Sequence, residues 1–396
     1  MDDEQITIKP IKVKDLPSFA AEVIHAAKKN QFVPISMQRA QAHAHNPYAD
    51  GDDVGLLVAF DKNDEIVGYF GILPVKVRNR HRIDKVHWFT TWNVSGKVRG
   101  KGVGSKLMEA ALALSKDFVI VGSVYARKVC RKFGFLEKEP LVYYWLDMTG
   151  GNRLNPVTGL LRLYRRGRRI LGLQYEQVAI TNHLTKRFAR LLSPVFKRIF
   201  YPLLSKQTQS ALAGLNVRKV ERLQTQFAGY EHRPDVEFYR DIDAINWMIR
   251  YPWVVPSGES PTEEMDYYFS DVRPFFEFIP LEVFRDDGQF AGYLVFSVSG
   301  YGETTSLKVL DYDYRDEKMA DSFFALAVQF GRTYNADRLE IPAEFAGGIR
   351  KGFPGRLLLY EKKRIYQCSP KSEDSPLHKA WDKLVFHLAD GDMPFS

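Results

Sequence analysis

A run of glycines and cations, Ser95-Gly96-Lys97-Val98-Arg99-Gly100-Lys101-Gly102-Val103-Gly104-Ser105, is the part of this chain best suited to chemistry. It follows an apolar stretch ending at Val94 and leads directly into a helical pattern. The first turn of a helix leaves its N–H groups without intrahelical acceptors, and the macrodipole adds partial positive charge there. An anion is the natural ligand of such a turn. Glycine lets the backbone approach a phosphate closely, and Lys97, Arg99 and Lys101 supply neighbouring charge. The spacing excludes two nucleotide motifs. A P-loop needs four residues between its first glycine and Gly-Lys-Ser/Thr, but only three separate Gly96 from Gly100, and Gly102 follows Lys101. A dinucleotide fingerprint on Gly102 and Gly104 needs a small residue where Leu107 stands. It also needs an acid ending the next strand, which Asp117 instead begins.

The pattern Arg99-x-x-Gly102-x-Gly104 resembles the Arg/Gln-x-x-Gly-x-Gly/Ala loop of the GNAT acetyltransferase superfamily. Residues 98–111 are similar in character to that family's acetyl-CoA-binding motif. Residues 126–135, ending in Gly134-Phe135, are similar to its next helix and Gly-Phe signature. In element order the resemblance covers residues 6–147. It implies that the amides of Arg99, Gly100, Lys101, Gly102, Val103, Gly104 and Ser105 hold the coenzyme A pyrophosphate. It implies that main-chain groups of Asn93, Val94 and Ser95 pair with the pantetheine arm, the amide near Val94 polarising the thioester carbonyl. Many members carry a tyrosine acid four residues before the glycine of Gly-Phe, and here that position is Cys130. A thiol of pKa about 8.5 can donate a proton, and Arg127, Lys128 and Arg131 beside it in sequence would lower that value. The alternative for Cys130 is a small, half-buried helix residue. Tyr125 is placed just before the helix and is the weaker donor.

Acyl transfer from a thioester also needs a deprotonated acceptor and an oxyanion stabiliser. No general base stands out: the strand over 86–94 holds His87 and no acid, and Asp50, Asp52 and Asp53 read as a solvated loop. His43 and His45 have no cysteine or acid at ligand spacing, so no metal is expected.

The elements that must position these residues follow from periodicity. Strands are predicted near 6–8, over 54–60, 65–73, 86–94 and 118–124, with a closing strand at 141–146. Helices are predicted over 15–29, 105–115 and 126–133, and residues 43–53 are a loop. Between 150 and 230 no strand is evident; Leu184, Phe188, Leu191, Val195, Ile199 and Leu203 alternate with cations in a basic amphipathic helix that Pro194 and Pro202 should kink or end. A second series follows: a hairpin over 281–285 and 290–297, a strand at 306–312, a helix at 318–334, a strand at 338–341, a short helix at 344–351 and a strand near 357–360. Residues 240–252 resemble the opening of this second domain. At the place of the glycine loop stands Asp313-Tyr314-Arg315-Asp316-Glu317-Lys318, whose acids would repel a phosphate.

The fold class expected is therefore α/β (α+β), a GNAT-like mixed, mainly antiparallel sheet flanked by helices and present twice. The division is a GNAT domain over 1–150, a basic helical linker over 151–230, and a degenerate GNAT-like domain over 231–396. The 396 residues are 45% apolar and 26% charged, which excludes a disordered or fibrous chain. The net charge of +8 is uneven: +5 over 1–150, +13 over 151–230 and −10 over 231–396. That asymmetry favours docking of the basic helix on acidic surface, with contact of residues 181–205 with an anionic membrane as the alternative. The cluster Arg165-Arg166-Gly167-Arg168-Arg169 is a further anion candidate; no nucleic-acid module accompanies it. Two cysteines, an acidic N-terminal segment and no long apolar run lead to a cytoplasmic expectation. The function expected is transfer of an acetyl group from acetyl-CoA to an amine of a small-molecule or sugar acceptor. The alternatives are a GNAT-like aminoacyl or peptidyl transferase using aminoacyl-tRNA and a non-catalytic acyl-CoA-binding scaffold.

Overall fold

The computed structural model describes residues 6–150, 179–225, 234–269, 272–349, 355–370 and 372–391. Its first elements are β1 (Thr7–Lys12), α1 (Leu16–Ala26), α2 (Met37–Ala44), β2 (Val54–Phe60), β3 (Ile66–Asn79) and β4 (Arg82–Val94). Then come α3 (Val103–Leu114), β5 (Phe118–Ile120), α4 (Val124–Lys132), β6 (Leu136–Glu137) and β7 (Leu141–Asp147). The middle holds α5 (Ala179–Thr208), β8 (Leu215–Lys219), β9 (Val236–Tyr239), α6 (Ile242–Arg250), β10 (Val255–Pro256) and β11 (Val272–Arg273). The remainder is β12 (Phe276–Arg285), β13 (Phe290–Tyr301), β14 (Thr304–Tyr314), α7 (Met319–Thr333), β15 (Arg338–Pro342), α8 (Gly355–Leu358), β16 (Leu359–Arg364), β17 (Gln367–Cys368) and α9 (Pro376–Trp381).

These elements form two large, mostly antiparallel sheets flanked by helices, and β10 and β11 form a separate two-stranded parallel sheet. One compact unit comprises Met1–Leu141, Val220–Phe278 and Lys363–Ser396; the other comprises Val142–Lys219 and Ile279–Lys362. The first sheet runs β1-β2-β3-β4-β5-β17-β6, with β9 also on β3, and the second runs β16-β7-β15-β14-β13-β12-β8. The boundaries expected at 150 and 230 therefore do not divide the molecule. β7, expected to close the first sheet, pairs with β15, while β17 pairs with β5 and β6. The reason lies in the ladder: a strand's sequence specifies its two faces but not which backbone edge it joins. Residues 240–252, expected to open the second domain, belong to the first unit, where β9 extends β3 through Lys76↔Tyr239 to Asn79↔Val236.

In the first unit, Leu16, Ala20 and Ile24 bury one stripe of α1, and Ser36 caps α2 by accepting from the Arg39 amide at 3.3 Å. Helix α2 replaces part of the loop expected over 43–53. Val103, Leu107, Met108 and Ala111 of α3 pack with Phe70, Phe89 and Phe118 in one core, on the sheet face opposite Tyr69. The β2–β3 turn is built as its composition indicates: Asp61 accepts from the amides of Asn63 and Glu65 at 2.9 Å each.

The second unit repeats the order hairpin, strand, helix and parallel strand. Three residue pairs join β4 to β5 in parallel, His87↔Phe118 to Phe89↔Ile120, and three join β14 to β15, Ser306↔Arg338 to Lys308↔Glu340. Just beyond each parallel segment the strand bulges against its hairpin partner. Gly71 of β3 faces both Thr90 and Thr91, and on β14 Leu310 is the extra residue between Val309 and Asp311.

Helix α5 runs through Pro194 and Pro202 instead of ending at them. Pro202, which has no N–H to give to the Arg198 carbonyl, is exposed, as is Arg198. The buried face is Phe200, Tyr201 and Leu204, and Lys197 pairs with Asp337 at 2.6 Å. Leu191, Val195 and Ile199 of the expected apolar stripe are 74%, 52% and 54% exposed. The Arg165–Arg169 cluster lies outside the described residues. Among the described residues no helix is long and apolar enough to cross a membrane.

Segments of the first unit distant in sequence are fastened by buried ions. Arg78 of β3 contacts Glu237 of β9 at 2.6 Å with both side chains at most 3% exposed, and His387 lies 3.2 Å from the same carboxylate. Removing one member of such a pair leaves the other charge buried and uncompensated. The Glu237→Ala variant should lose about 3–5 kcal/mol of unfolding free energy, measured by urea denaturation of the full chain; a loss within error of zero would show the pair to be dispensable.

Candidate active site

The site is built where β4 parts from β5. Ladder pairing stops at Phe89, the Thr90–Thr91 bulge turns the strand, and Trp92–Val94 continue without β5. Ser95 donates its amide to Val67 O at 2.9 Å, so Ser95 and Val67 form a hydrogen-bonded pair. Alternation along an antiparallel ladder then spends the main-chain groups of Asn93 on Tyr69 and directs those of Trp92 and Val94 to the side vacated by β5. Of the three residues expected to meet the pantetheine arm, Val94 alone has its main chain open. Ser95 is a loop former, since its carbonyl also accepts from Val98 and its hydroxyl from Lys97.

After Ser95 the chain makes a single 3-10 turn, Gly96–Val98, anchored by the buried Val98. Gly100 and Gly102 have φ of 86° and 80°, a region costly for residues with a Cβ. Gly102 is the N-cap of α3 and supplies no capping side chain, and the first helical bond runs from Lys106 to Gly102 O. The amides of Val103, Gly104 and Ser105 precede that bond and have no intrahelical acceptor. A Cβ on Gly104 would stand 3.4 Å from Trp92, room enough for alanine as well as glycine. Around the loop Lys97 pairs with Glu65 at 3.4 Å, whereas exposed Arg99 meets no carboxylate among the described residues. The loop is thus cationic, rich in unspent amides and adjacent to the open edge of β4.

Cys130 does not fit the acid role. It is fully buried in the core under α3 and α4, and burial pushes its thiol up to about 12. None of the cations next to it in sequence lowers it. Tyr125, expected ahead of α4, lies in its first turn and is 80% exposed.

The other polar candidates are accounted for. Asp52 accepts from Lys14 at 2.8 Å and Lys12 at 2.9 Å, bonds that hold its carboxyl down at about 2, and Asp50 and Asp53 both meet Lys85. His45 stacks on Tyr251 at 4.4 Å. His43 is buried on α2, 5.5 Å from Trp253. Among the described residues no group of three or more His, Cys, Asp or Glu could hold a metal ion. What the sequence did not show is the Thr90–Thr91 bulge; a Cβ on Gly71 would stand 2.4 Å from both threonine hydroxyls, a constraint visible only once the strands are paired.

Residues 21–135 match the Acetyltransferase (GNAT) family, a segment containing α2 to α4 and the whole loop. That segment is a GNAT acetyltransferase domain. No curated protein is matched by the chain. Among solved structures, a conserved protein of Enterococcus faecalis, of unknown function and described as a probable N-acyltransferase, is 8% identical, covering 92% of this chain and 72% of that one with a TM-score of 0.47. Saccharomyces cerevisiae N-myristoyltransferase with bound myristoyl-CoA is 9% identical, covering 99% and 86% with a TM-score of 0.45. A GCN5-related N-acetyltransferase of Anabaena variabilis is 9% identical, covering 91% and 72% with a TM-score of 0.42. Likeness at that level assigns nothing further to this chain.

His43 gives this region a pH signature. Burial, and then the charge of Arg39, lower its pKa from 6.5 to about 3. Below 6.5 the unfolded chain takes up a proton that the native imidazole refuses until about 3, so stability falls as pH drops across that window. His43→Phe should flatten this acid limb by up to about 5 kcal/mol, read from urea unfolding at neutral and acid pH. Parallel acid limbs for wild type and variant would contradict the assignment.

Proposed function

We propose that the first unit transfers an acyl group, acetyl in the simplest case, from acetyl-CoA to an amine of a small molecule or sugar, by direct attack in a ternary complex. The observation that carries this reading is the placement of unspent amides at the start of α3 beside the β4 edge that β5 has left. A diphosphate suits the amides of Val103, Gly104 and Ser105, with Arg99 neutralising charge. The thioester arm would then run along β4, and the amide of Val94 would donate to the carbonyl oxygen as it gains charge on attack. The second unit contributes no coenzyme site in this reading. Asp316 caps the turn into α7 there, its carboxylate bonded to the Lys318 amide at 3.0 Å and to Arg285 at 3.3 Å. Such acids oppose a phosphate.

We further propose that α5 rests on an anionic membrane surface. The exposed Leu191, Val195 and Ile199 form an i, i+4, i+8 stripe with exposed Arg198 beside it, which favours this over the aminoacyl-tRNA alternative.

Two measurements test these readings. Acetyl-CoA at about 100 times its Kd should stabilise the protein by about 2.7 kcal/mol. Gly102→Glu should abolish that thermal shift, because no atom within 4 Å of the new Cβ clashes and the change acts through φ and the added charge. An undiminished shift would place the coenzyme elsewhere. For α5, the chain should float with vesicles containing phosphatidylserine and not with neutral ones, and Leu191→Glu should weaken flotation; equal flotation of wild type with both vesicles would refute the surface reading.

A further inference from the structure

Arg39, on α2, is 5% exposed, and its guanidinium lies 3.8 Å from the Trp253 ring centre and 5.7 Å from that of Phe269. Its Nε and Nη1 are buried and meet no acceptor, and among the described residues no carboxylate lies within ion-pair distance of it. One turn along the same helix, His43 is 2% exposed with neither ring nitrogen hydrogen-bonded. Stacking on Trp253 covers a face of the guanidinium but leaves these in-plane N–H groups unanswered; the forks that take a planar oxyanion are Nε with Nη2 and Nη1 with Nη2, so each fork contains one of the two unanswered nitrogens. A buried, uncompensated cation of this kind costs the free protein stability.

The position relates the cluster to transfer. Tyr69 of β3 lies opposite Asn93 in the ladder, its hydroxyl beside the Asn93 side chain and within the field of Arg39. Phe269 lies 6.4 Å from Tyr69 and Phe32 lies 5.4 Å from it, so an aromatic wall runs from Arg39 toward the open end of β4. Tyr69 and Gly68 point to opposite faces, and Gly68 abuts Leu107 and Val103 of α3. The cluster is therefore on the other sheet face from the glycine loop and is not the pyrophosphate site.

We propose that Arg39, with His43, binds an oxyanion carried by the acceptor, a carboxylate or a phosphate, and so fixes the acceptor beside the β4 end. The inference rests on the acyl-transfer reading for what the anion belongs to, while the anion site itself stands on Arg39 alone. In this arrangement the guanidinium donates two N–H groups to the anion, neutral His43 donates a third, and the aromatic wall flanks the remainder of the molecule.

The test uses the full chain with acetate and inorganic phosphate as probes, and with acetamide and sodium chloride of equal ionic strength as controls. Acetate or phosphate should raise the melting temperature above the chloride control, the better of the two identifying the anion class, and acetamide should not. Arg39→Met should weaken the anion response at least about tenfold, the loss of a bidentate charge-assisted pair. Arg39→Lys, which keeps the charge and loses the fork, should retain part of the response and decides the matter should the methionine variant not fold. An equal response in the variants, or no anion-specific rise in wild type, overturns the proposal. Acetyl-CoA added to the same samples should stabilise wild type and variants alike. Its failure with the anion response intact would sink the transfer reading and leave the oxyanion site standing.

Discussion

Each large sheet of this protein is completed by a strand from the other half of the sequence. β17 lies between β5 and β6, and β7 lies between β15 and β16. A strand beside β5 or β15 satisfies a row of backbone N–H and C=O groups that would otherwise be buried without partners. Neither the first nor the last part of the chain can therefore finish a sheet alone, and the compact units are discontinuous in sequence. Buried Arg78 and Glu237 add a side-chain tie of the same kind inside the first unit, joining β3 to β9.

The candidate site is a consequence of where pairing stops. Both units use three parallel pairs followed by a bulge. A bulge adds twist and re-aims the backbone, so β4 leaves β5 and turns main-chain groups into the gap. In the first unit the glycine loop then delivers uncapped amides to the same place. In the second unit acids and their lysine and arginine partners fill the corresponding turn. One architecture thus carries an anion-attracting turn in one copy and an anion-repelling turn in the other.

The charges of the two anion-attracting features act differently. Exposed Arg99 works in water, where screening limits it and many partners can satisfy it. Arg39 is enclosed by aromatic rings, where an unmatched guanidinium is unstable and a matching oxyanion gains most. The neutral form of His43 follows from the same enclosure: burial and the adjacent cation both disfavour a second positive charge.

By itself the sequence determined the local parts. Glycine spacing located the loop at residues 96–104, period-two and period-3.6 patterns located β2, β3, β4 and α3, and Asp61-Lys62-Asn63-Asp64 located their turn, because φ preference and side-chain periodicity are local properties. Tertiary structure alone decided what depends on a neighbour distant in the chain. It set the sheet to which β7 belongs, the bulge against Gly71, and the main-chain orientation that opens Val94 and closes Asn93 and Ser95. It also decided that Cys130 is core and that Leu191, Val195 and Ile199 are surface. Arg39 shows the difference most plainly: in the sequence it is an ordinary cation on a short amphipathic helix. Its significance comes from the aromatic residues folded around it and the absence of any carboxylate among the described residues at its edge, and no run of adjacent residues encodes either.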